Sequence, residues 1–391
     1  MAEFSLTWLL APLPVQTFLD DIWGSRPYHV NRGCANYFDN VLRGSAAVEE
    51  LLTHVQPEPS AVRLVRGGEE KDPGSYRLAD GSLDPVRVRD GLADGYTVIL
   101  NGLERYMRTI GALSHSIEVE LNFPTRVNAY LTPPHSTGFV AHFDPHDVLI
   151  LQIQGSKIWH IYDAEVPPHE MQRREGFAGA DLAPPADLHL TAGDVLYLPR
   201  GRVHGAETHS ELSVHLTVGI HAPTVLTLLT HLLHSLSLRD ERVHDRLPPR
   251  HLDDPGLRAN LVDLVRAAVR TVEDSGAVAE ALSAMEDVLV RRGRCPPVGQ
   301  IPCAVGIDGR TRVMKYQPLY SRVIPVADGV ALQFAQLLIR VSRDHEAAML
   351  FVSRATGPFR VRDLPGLNPA QQTELARTLI TTGFLVRLPE S

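Results

Sequence analysis

The feature that most constrains the fold is a series of short β-type segments within residues 126–220. Apolar runs such as 127–131 and 148–153 are separated by turn signals, among them Pro133-Pro134 and Gly155-Ser156. Several short runs at this spacing are typical of a β-barrel or β-sandwich rather than of a helical bundle. The sequence therefore predicts a sheet-based core in the middle of the chain.

Helical patterns lie on both sides of this core, so the predicted fold class is α+β. We expect a helical lead-in, in which Ser45 caps the second helix, then a group of packed helices and a small helical domain at the end. The length of 391 residues also favours more than one domain. The predicted helices are 14–23, 46–54, 225–238, 257–271, 277–291, 332–343, 346–354 and 369–382.

Composition indicates a globular protein, with 44% hydrophobic and 21% charged residues. The most leucine-rich stretch, 225–238, is too short to span a membrane, and the first residues lack a basic leader. Cys34, Cys295 and Cys303 are widely separated or lie near Pro and Gly, which argues against a disulfide framework. We therefore expect a cytoplasmic protein with no membrane contact.

The net charge of −8 is unevenly distributed along the chain. Residues 310–391 contain 11 Lys and Arg against 6 Asp and Glu, a balance of +5, which leaves −13 for residues 1–309. The acidic part favours a basic partner. We do not expect the whole chain to bind nucleic acid, because duplex affinity depends on clustered cations.

The segment His142-Phe143-Asp144 holds two metal-ligating side chains two residues apart. On a β-strand such residues project from the same face, and His204 could be delivered to them by a loop that follows a strand. Two imidazoles and one carboxylate leave adjacent positions open on an octahedral ion, which suits Fe(II) with a keto acid and dioxygen. Zinc prefers a closed tetrahedral site.

Lys157 is the candidate cation for the distal carboxylate of such a keto acid. It follows the Gly155-Ser156 turn, on what the pattern predicts to be the next strand of a hairpin. The alternative is an exposed turn lysine. Two other polar residues near the motif have two interpretations each. His215 alternates with Ser213 and Thr217 on one strand face and could border the pocket, but a hydrogen-bonded core histidine is the favoured interpretation. Asp147 is either an exposed loop carboxylate or a substrate contact.

The runs 142–162 and 193–207 resemble the JmjC-type cupins of the ribosomal oxygenase family, and 8–12 with 18–23 resemble the lead-in of that family. The resemblance implies a double-stranded β-helix that binds Fe(II) and uses 2-oxoglutarate and O2 as co-substrates. It implies the metal ligands His142, Asp144 and His204, and the 2-oxoglutarate-binding residues Lys157, Asn128, Tyr130 and Thr217.

The resemblance also implies three domains: a JmjC/cupin catalytic domain at 1–221, a helical dimerisation domain at 222–300 and a winged helix at 301–391. Leu226, Leu229 and Leu233 supply an apolar helix face for a homodimer. Although Arg354, Arg360 and Arg362 could suggest DNA reading, a winged helix of this family is expected to contact protein.

The implied chemistry couples the oxidative decarboxylation of 2-oxoglutarate to succinate with the hydroxylation of a histidyl or arginyl side chain in a protein such as a ribosomal protein. A lysine at position 157 is more similar to the histidyl members. Three alternatives remain open: a tailoring hydroxylase of a small peptide or amino acid, a lysine demethylase, for which no methylammonium cage is evident, and a non-catalytic dimeric cupin scaffold.

Overall fold

The computed structural model describes residues 4–55, 57–171, 182–249, 251–252, 254–272, 275–293 and 306–389, so Cys295 and Cys303 lie outside the described residues. The chain divides into two compact units, Met1–Ala222 and Pro223–Ser391. It mixes helices and sheets, which confirms the predicted α+β class. No described helix combines the length and apolarity needed to cross a membrane.

The helices of the first unit are α1 (Leu6–Leu10), α2 (Val15–Asp21), α3 (Gly44–Glu50, continued by a π-helical turn at Leu51–Val55), α4 (Pro85–Ala93), α5 (Arg108–Leu121) and α6 (Pro168–Met171). Its strands are β1 (Tyr28–Val30), β2 (Val62–Arg66), β3 (Glu69–Glu70), β4 (Thr97–Leu100), β5 (Thr125–Thr132), β6 (Asp147–Gln154), β7 (Ser156–Glu165), β8 (Ala186–Thr191), β9 (Val195–Leu198), β10 (Arg202–Glu207) and β11 (Ser213–Ile220). The predicted lead-in helices and central strands are confirmed.

Two antiparallel sheets form the centre of the first unit. The larger has the strand order β1-β9-β6-β11-β5-β4-β2-β3, and the smaller has the order β10-β7-β8. Val148 and Ile150 of the larger sheet share a buried core with Trp159, Leu190 and Ala206 of the smaller one. Side chains from facing strands therefore fill the space between the sheets, as in a barrel.

The opposite face of the larger sheet is covered by the helical lead-in. Leu149, Leu151 and Tyr197 join a second core with residues of α1 and α2, including Leu9 and Phe18. Successive residues on a strand point to opposite faces, so β6 is buried on both sides. This explains its continuous apolar run in place of an alternating one.

The predicted hairpin before Lys157 is wrong. Although β6 and β7 are consecutive, β6 pairs with β9 and β11, whereas β7 pairs with β8 and β10. Gly155 allows the chain to pass between the sheets, because its φ is +66° and a Cβ there would lie 2.2 Å from the Leu212 carbonyl oxygen. Lys157 consequently enters the barrel from the opposite sheet.

The predicted cap of the second lead-in helix is also wrong. The helix begins at Gly44, so Ser45 lies inside its first turn. The backbone N–H of Ser45 donates to Gln154 Oε1 at 2.8 Å, a contact from the end of β6. A tertiary hydrogen bond thus satisfies a helix-terminal N–H that the local sequence pattern assigned to a side-chain cap.

The second unit contains the helices α7 (Val225–Ser237), α8 (Pro255–Val272), α9 (Ser275–Arg292), α10 (Glu346–Arg354) and α11 (Pro369–Thr381). Its strands are β12 (Arg312–Lys315), β13 (Ser321–Val326), β14 (Gly329–Phe334), β15 (Leu337–Val341), β16 (Phe359–Arg360) and β17 (Leu385–Arg387). Helices α7 and α9 pack through Leu232, Ala277 and Ala281. The sheets β16-β12-β17 and β13-β14-β15 enclose a separate core with α10 and α11.

The predicted helix 332–343 is wrong, because this stretch forms β14 and β15 of an antiparallel hairpin. Leu332 and Phe334 are buried on β14 and Ile339 on β15. The turn between the strands uses Ala335 at a φ of 49°, a conformation that glycine or asparagine normally supplies. Without either residue in the sequence, the hairpin resembles a continuous apolar helix.

Candidate metal centre and active site

Three ligand atoms converge in the first unit. One donor atom from each of His142, Asp144 and His204 lies within 4.8 Å of the others, and these residues form a metal-ligand cluster within the described part of the chain. His204 Nε2 and Asp144 Oδ2 are 3.7 Å apart, and the two imidazole centroids are 4.4 Å apart. Such a set can surround a single ion on one side.

The backbone places these residues differently from the sequence prediction. His142 and Asp144 lie in an irregular segment before β6, whereas His204 lies on strand β10. His142 and His204 form an isolated antiparallel bridge, in which each N–H donates to the other carbonyl at 2.8 Å. This bridge, rather than a shared strand face, brings the two imidazoles together.

Each imidazole is oriented by its second nitrogen. Nδ1 of His142 lies 2.9 Å from the Val140 carbonyl, and Nδ1 of His204 lies 2.9 Å from the Arg202 carbonyl. A carbonyl only accepts, so both Nδ1 atoms carry the proton and both Nε2 atoms keep a free lone pair. Metal-binding histidines are commonly held in this way.

The His204 side chain is buried at the centre of the site. Burial, and then the neighbouring His142, lower its pKa to about 4, although Asp144 opposes the shift. The ring is therefore neutral near neutral pH, as metal ligation requires.

Lys157 lines the same cavity and is buried, with 4% of its surface exposed. Its Nζ donates to Thr132 Oγ1 at 2.9 Å, and no described carboxylate lies within ion-pair distance of it. Burial lowers the pKa of this ammonium to about 7. The Lys157 ammonium also lies over the Trp159 ring, 5.9 Å from its centroid. A buried cation whose described partners are a hydroxyl and an aromatic ring is a ready site for an anion.

The remaining predicted pocket residues lie on the paired strands β5 and β11. Tyr130 and Thr217 line the cavity, which measures about 220 Å³. Burial and the nearby Asp144 raise the pKa of Tyr130 to about 12, while Asn128 and Thr217 hydrogen-bond to its side chain. Asn128 Oδ1 also accepts from the Gly102 N–H at 3.0 Å, so it supports Tyr130 from beside the cavity.

His215 lines the cavity, which was the less favoured of the two interpretations of its sequence pattern. It is 3% exposed, and its ring stacks on Tyr130 at 4.7 Å and 2°. The prediction of a hydrogen-bonded core histidine is wrong at Nδ1, which is buried without a partner. Its alternation with Ser213 and Thr217 on β11 was the signal for a place facing the cavity.

Three further lining residues, Arg63, Phe139 and Trp159, were not identified from the sequence. Arg63 reaches the cavity from β2 while its guanidinium binds Glu70 at 2.8 Å. Arg63 is distant in sequence from the motif, so a local pattern carries no information about it. Phe139 and Trp159 lie close to His142 and Lys157 in sequence, but only the fold shows that their side chains face the cavity.

The structure excludes Asp147 as an exposed loop carboxylate. Asp147 is 4% exposed and accepts hydrogen bonds from Tyr197 Oη at 2.6 Å and from the Arg200 backbone N–H at 3.4 Å. Burial raises its pKa, and these donors oppose the rise. Its contacts anchor β6 to β9 and do not belong to the cavity.

Comparison with known proteins assigns the domain. Residues 108–228 match the family model of the JmjC domain. The chain carries a JmjC domain. All three clustered ligands, together with Lys157, lie inside the matched range.

Proteins similar to this chain include the bifunctional lysine-specific demethylase and histidyl-hydroxylase NO66 of Aedes aegypti, 27% identical over 55% of this chain and 34% of that protein. Ribosomal oxygenase 1 of Bos taurus is 27% identical over 54% of this chain and 32% of that protein. The chain thus spans about a third of the length of these curated relatives.

Solved structures show a similar fold over nearly the whole chain. The Escherichia coli ribosomal oxygenase YcfD superposes with a TM-score of 0.59 at 16% identity, covering 96% of this chain and 98% of that chain. The structure of YcfD in complex with cobalt and 2-oxoglutarate superposes with a TM-score of 0.59 at 16% identity, covering 97% of this chain and 99% of that chain. The predicted cupin architecture is therefore confirmed.

Proposed function

We propose that this protein is an Fe(II)- and 2-oxoglutarate-dependent oxygenase that hydroxylates a histidyl or arginyl side chain of a protein, such as a ribosomal protein. One observation carries the proposal: the cluster of His142, Asp144 and His204 opens into the same cavity as the buried ammonium of Lys157. The three-residue cluster leaves room for exogenous ligands on a metal ion. The Lys157 ammonium has no described anionic partner and can bind an anion.

The donor set fits ferrous iron. His142 and His204 would each offer Nε2, because their Nδ1 atoms are held by carbonyls, and Asp144 would offer a carboxylate oxygen. This 2-His-1-carboxylate set is the one that non-haem Fe(II) oxygenases use. A closed four-ligand structural zinc site would need another protein donor, and within the described residues the cluster has three members.

The rest of the cavity fits a small keto diacid. Lys157 and Thr132 form one polar end, and the hydroxyls of Tyr130 and Thr217 line the wall. Because its pKa is raised, Tyr130 keeps its proton and can donate to a carboxylate. The distal carboxylate of 2-oxoglutarate would bind Lys157, and its keto-acid end would point toward the metal ligands.

When bound, iron and 2-oxoglutarate together supply oxidative decarboxylation coupled to the hydroxylation of a carbon. The protein positions the two groups, supplies charge and excludes water. Val148, Ile150 and Trp159 form apolar walls that exclude water. Lys157 fixes one end of the co-substrate, and the carbonyls behind the two histidines fix the other side of the site.

A polypeptide substrate is favoured by the relatives and by charge. NO66 is named as a histidyl-hydroxylase, and the structural match is a ribosomal oxygenase. The unit that contains the site, residues 1–222, has 17 Lys and Arg against 28 Asp and Glu, and this balance of −11 would attract a basic polypeptide. Ribosomal proteins are typical basic polypeptides of the cytoplasm, where we place this enzyme.

Loss of turnover in a single-ligand variant tests the enzyme. Purified protein is incubated with Fe(II), 2-oxoglutarate and cell-derived ribosomal proteins, and products are followed as succinate and as a one-oxygen mass gain on peptides. His142→Ala should abolish both signals. His169→Ala, a change of the same kind at a side chain that is 70% exposed, should leave them unchanged.

The outcomes separate the candidate functions. Equal signals in wild type and His142→Ala would contradict the oxygenase and favour a non-catalytic scaffold. A mass loss of one methylene on lysine would indicate demethylation. Turnover confined to free amino acids or small peptides would contradict the protein substrate and favour a tailoring hydroxylase.

We further propose that residues 222–300 mediate homodimerisation and that 301–391 form a winged helix. The first proposal is supported by the exposure of apolar side chains on α7: Leu226 is 58%, Leu229 46% and Leu233 57% exposed in the single chain. Contiguous apolar surface of this kind commonly marks a protein interface.

Light scattering tests the dimer. Leu226→Lys with Leu233→Lys should convert a dimer to a monomer, because each introduces a charge into the apolar face. Leu78→Lys, on a leucine that is 47% exposed in the first unit, is the control and should keep the dimer. A monomeric wild type would contradict the proposal.

A further inference from the structure

Five arginines surround one cavity in the second unit, far along the sequence from the metal ligands. The cavity measures about 320 Å³, and all five arginine side chains are exposed. They represent five of the 11 basic residues between positions 310 and 391. The cavity is lined by Arg310, Thr311, Arg312, Arg360, Arg362, Arg387, Leu388 and Pro389, which we call the arginine pocket.

The sheet β16-β12-β17 brings these residues together from three separate segments. Arg312 on β12 is directly opposite Arg360 on β16, and Arg387 on β17 is opposite Val313. Like charges directly across an antiparallel pair destabilise it. Arg312 and Arg360 therefore oppose folding locally, whereas a bound anion would relieve their repulsion.

The acidic residues closest in sequence offset only part of the positive charge of the pocket, because Asp308 interacts with Arg310 alone among the five arginines. Asp308 accepts the backbone N–H groups of Arg310 and Thr311, and Asp363 accepts that of Arg360. Their carboxylates thus shape the turns on either side of the sheet.

Three of the arginines keep guanidinium groups without a described carboxylate partner. Within the described residues, no carboxylate lies within ion-pair distance of Arg312, Arg360 or Arg362, whereas the charge of Arg310 also acts on the nearby Asp308 carboxylate. Arg387 has an interaction of its own, and the inference does not depend on it.

We propose that the arginine pocket binds the phosphate backbone of a nucleic-acid duplex. Guanidinium groups form paired hydrogen bonds with phosphate oxygens, and a duplex carries the dense line of negative charge that four or five neighbouring cations match. This revises the expectation based on net charge: the whole chain is acidic, but the phosphates would meet only this local group.

The other lining residues decide between a duplex and two alternative partners. An acidic peptide would need buried apolar anchors, and only Leu388 and Pro389 are apolar here. A single strand would need aromatic side chains on which bases stack, and the described lining contains none. Guanidiniums without anchors or stacking rings suit contacts to the backbone, which carry no sequence information.

Binding is measured by fluorescence anisotropy with the full-length protein and a labelled 20-base-pair RNA duplex. A DNA duplex and the single RNA strand serve as further probes. The triple variant Arg310→Gln, Arg312→Gln, Arg360→Gln should weaken duplex binding about tenfold or more at low salt. It should also reduce the slope of log K against log salt by about 2 to 3, one unit for each lost phosphate contact.

The matched control removes the same charge from elsewhere in the same unit. Arg340→Gln, Arg354→Gln, Arg377→Gln changes three exposed arginines outside the pocket and should bind as the wild type does. Similar affinities for RNA and DNA duplexes would show that the pocket recognises the phosphates alone. A preference for one duplex would show which type of nucleic acid supplies the phosphates. Absent duplex binding, equal loss in both variants, or tighter binding of the single strand would overturn the proposal.

The inference is independent of the oxygenase. The triple variant should retain wild-type turnover of a short peptide substrate, because none of its residues lies in the metal-binding unit. Failure of the hydroxylation assay would thus leave the duplex-binding result standing, and the reverse holds as well.

Discussion

The barrel cavity and the arginine pocket both present positive charge without a described carboxylate partner, but they do so in different ways. The barrel holds one buried ammonium, Lys157, while the arginine pocket holds exposed guanidiniums. A desolvated single charge suits one small anion in a fixed position. Solvated charges spread over a sheet edge suit an extended polyanion. Burial, more than charge count, thus distinguishes the two kinds of site.

The largest effect should come from the proposed metal ligands in the barrel. Asp144→Ala removes one of the three proposed protein ligands and should lower turnover by about 10³-fold or more, since the residues would act as a unit. Calorimetry with Mn(II) should show the metal affinity falling in parallel. Duplex binding should not change, and turnover above a tenth of the wild-type value would exclude Asp144 as a ligand.

The next largest effect should follow from removing the buried ammonium. Lys157→Met keeps the length of the side chain but should weaken 2-oxoglutarate binding by about 2–5 kcal/mol, as when one partner of a buried charge pair is lost. Without 2-oxoglutarate the variant should melt at a higher temperature, because burial of an unpaired cation costs stability. A lower melting temperature with intact 2-oxoglutarate binding would show that Lys157 is structural.

The salt dependence of ligand binding should differ between the barrel cavity and the arginine pocket. From 50 to 200 mM salt, duplex binding should weaken by about 10²-fold if four phosphates are contacted. Binding of 2-oxoglutarate in the barrel should change by less than about threefold, because buried charges are poorly screened. Equal salt dependence at both sites would contradict the contrast in burial.

The effect of pH on the barrel should be smaller. In the empty site burial lowers the pKa of Lys157 to about 7, and a bound dianion would raise this pKa. Above pH 7, binding of 2-oxoglutarate is therefore coupled to the uptake of a proton by Lys157. Affinity for 2-oxoglutarate should therefore fall about tenfold between pH 7 and pH 8.5. Binding that stays constant over this range would mean that the lysine remains charged in the empty site.

The smallest effect should come from His215. Replacement by Phe preserves an aromatic ring against Tyr130 but removes the buried Nδ1 that has no partner. If Nδ1 binds the co-substrate, 2-oxoglutarate affinity should drop by about 1 kcal/mol while thermal stability is maintained or rises. A loss of stability without a change in affinity would assign the residue a packing role.

Much of the barrel could be predicted from the sequence because its signals are local. The runs that became β5, β6 and β11 carry the apolar pattern of buried strands, and Gly155 and Gly193 mark real turns. The predicted helix at 332–343 failed because Ala335 adopts a left-handed backbone conformation that an alanine rarely adopts, so the sequence carries no turn signal there.

The chemistry at the site was accessible from residue types, whereas its geometry was not. His142, Asp144, His204 and Lys157 are recognisable as donors and a cation from their spacing and their resemblance to a family. How they meet depends on strand pairing: the bridge between positions 142 and 204, and the change of sheet at Gly155, join residues distant in sequence.

The sequence by itself determined the sheet-based core, the helical flanks and the side chains able to hold iron and a keto acid, because periodicity and functional groups are local properties. Only the tertiary structure decided that Lys157 is buried, that His215 faces the cavity without a partner for Nδ1, and that Arg312 lies opposite Arg360. Burial and cross-strand neighbours arise from packing distant segments together, and packing sets the electrostatic environment of each charge.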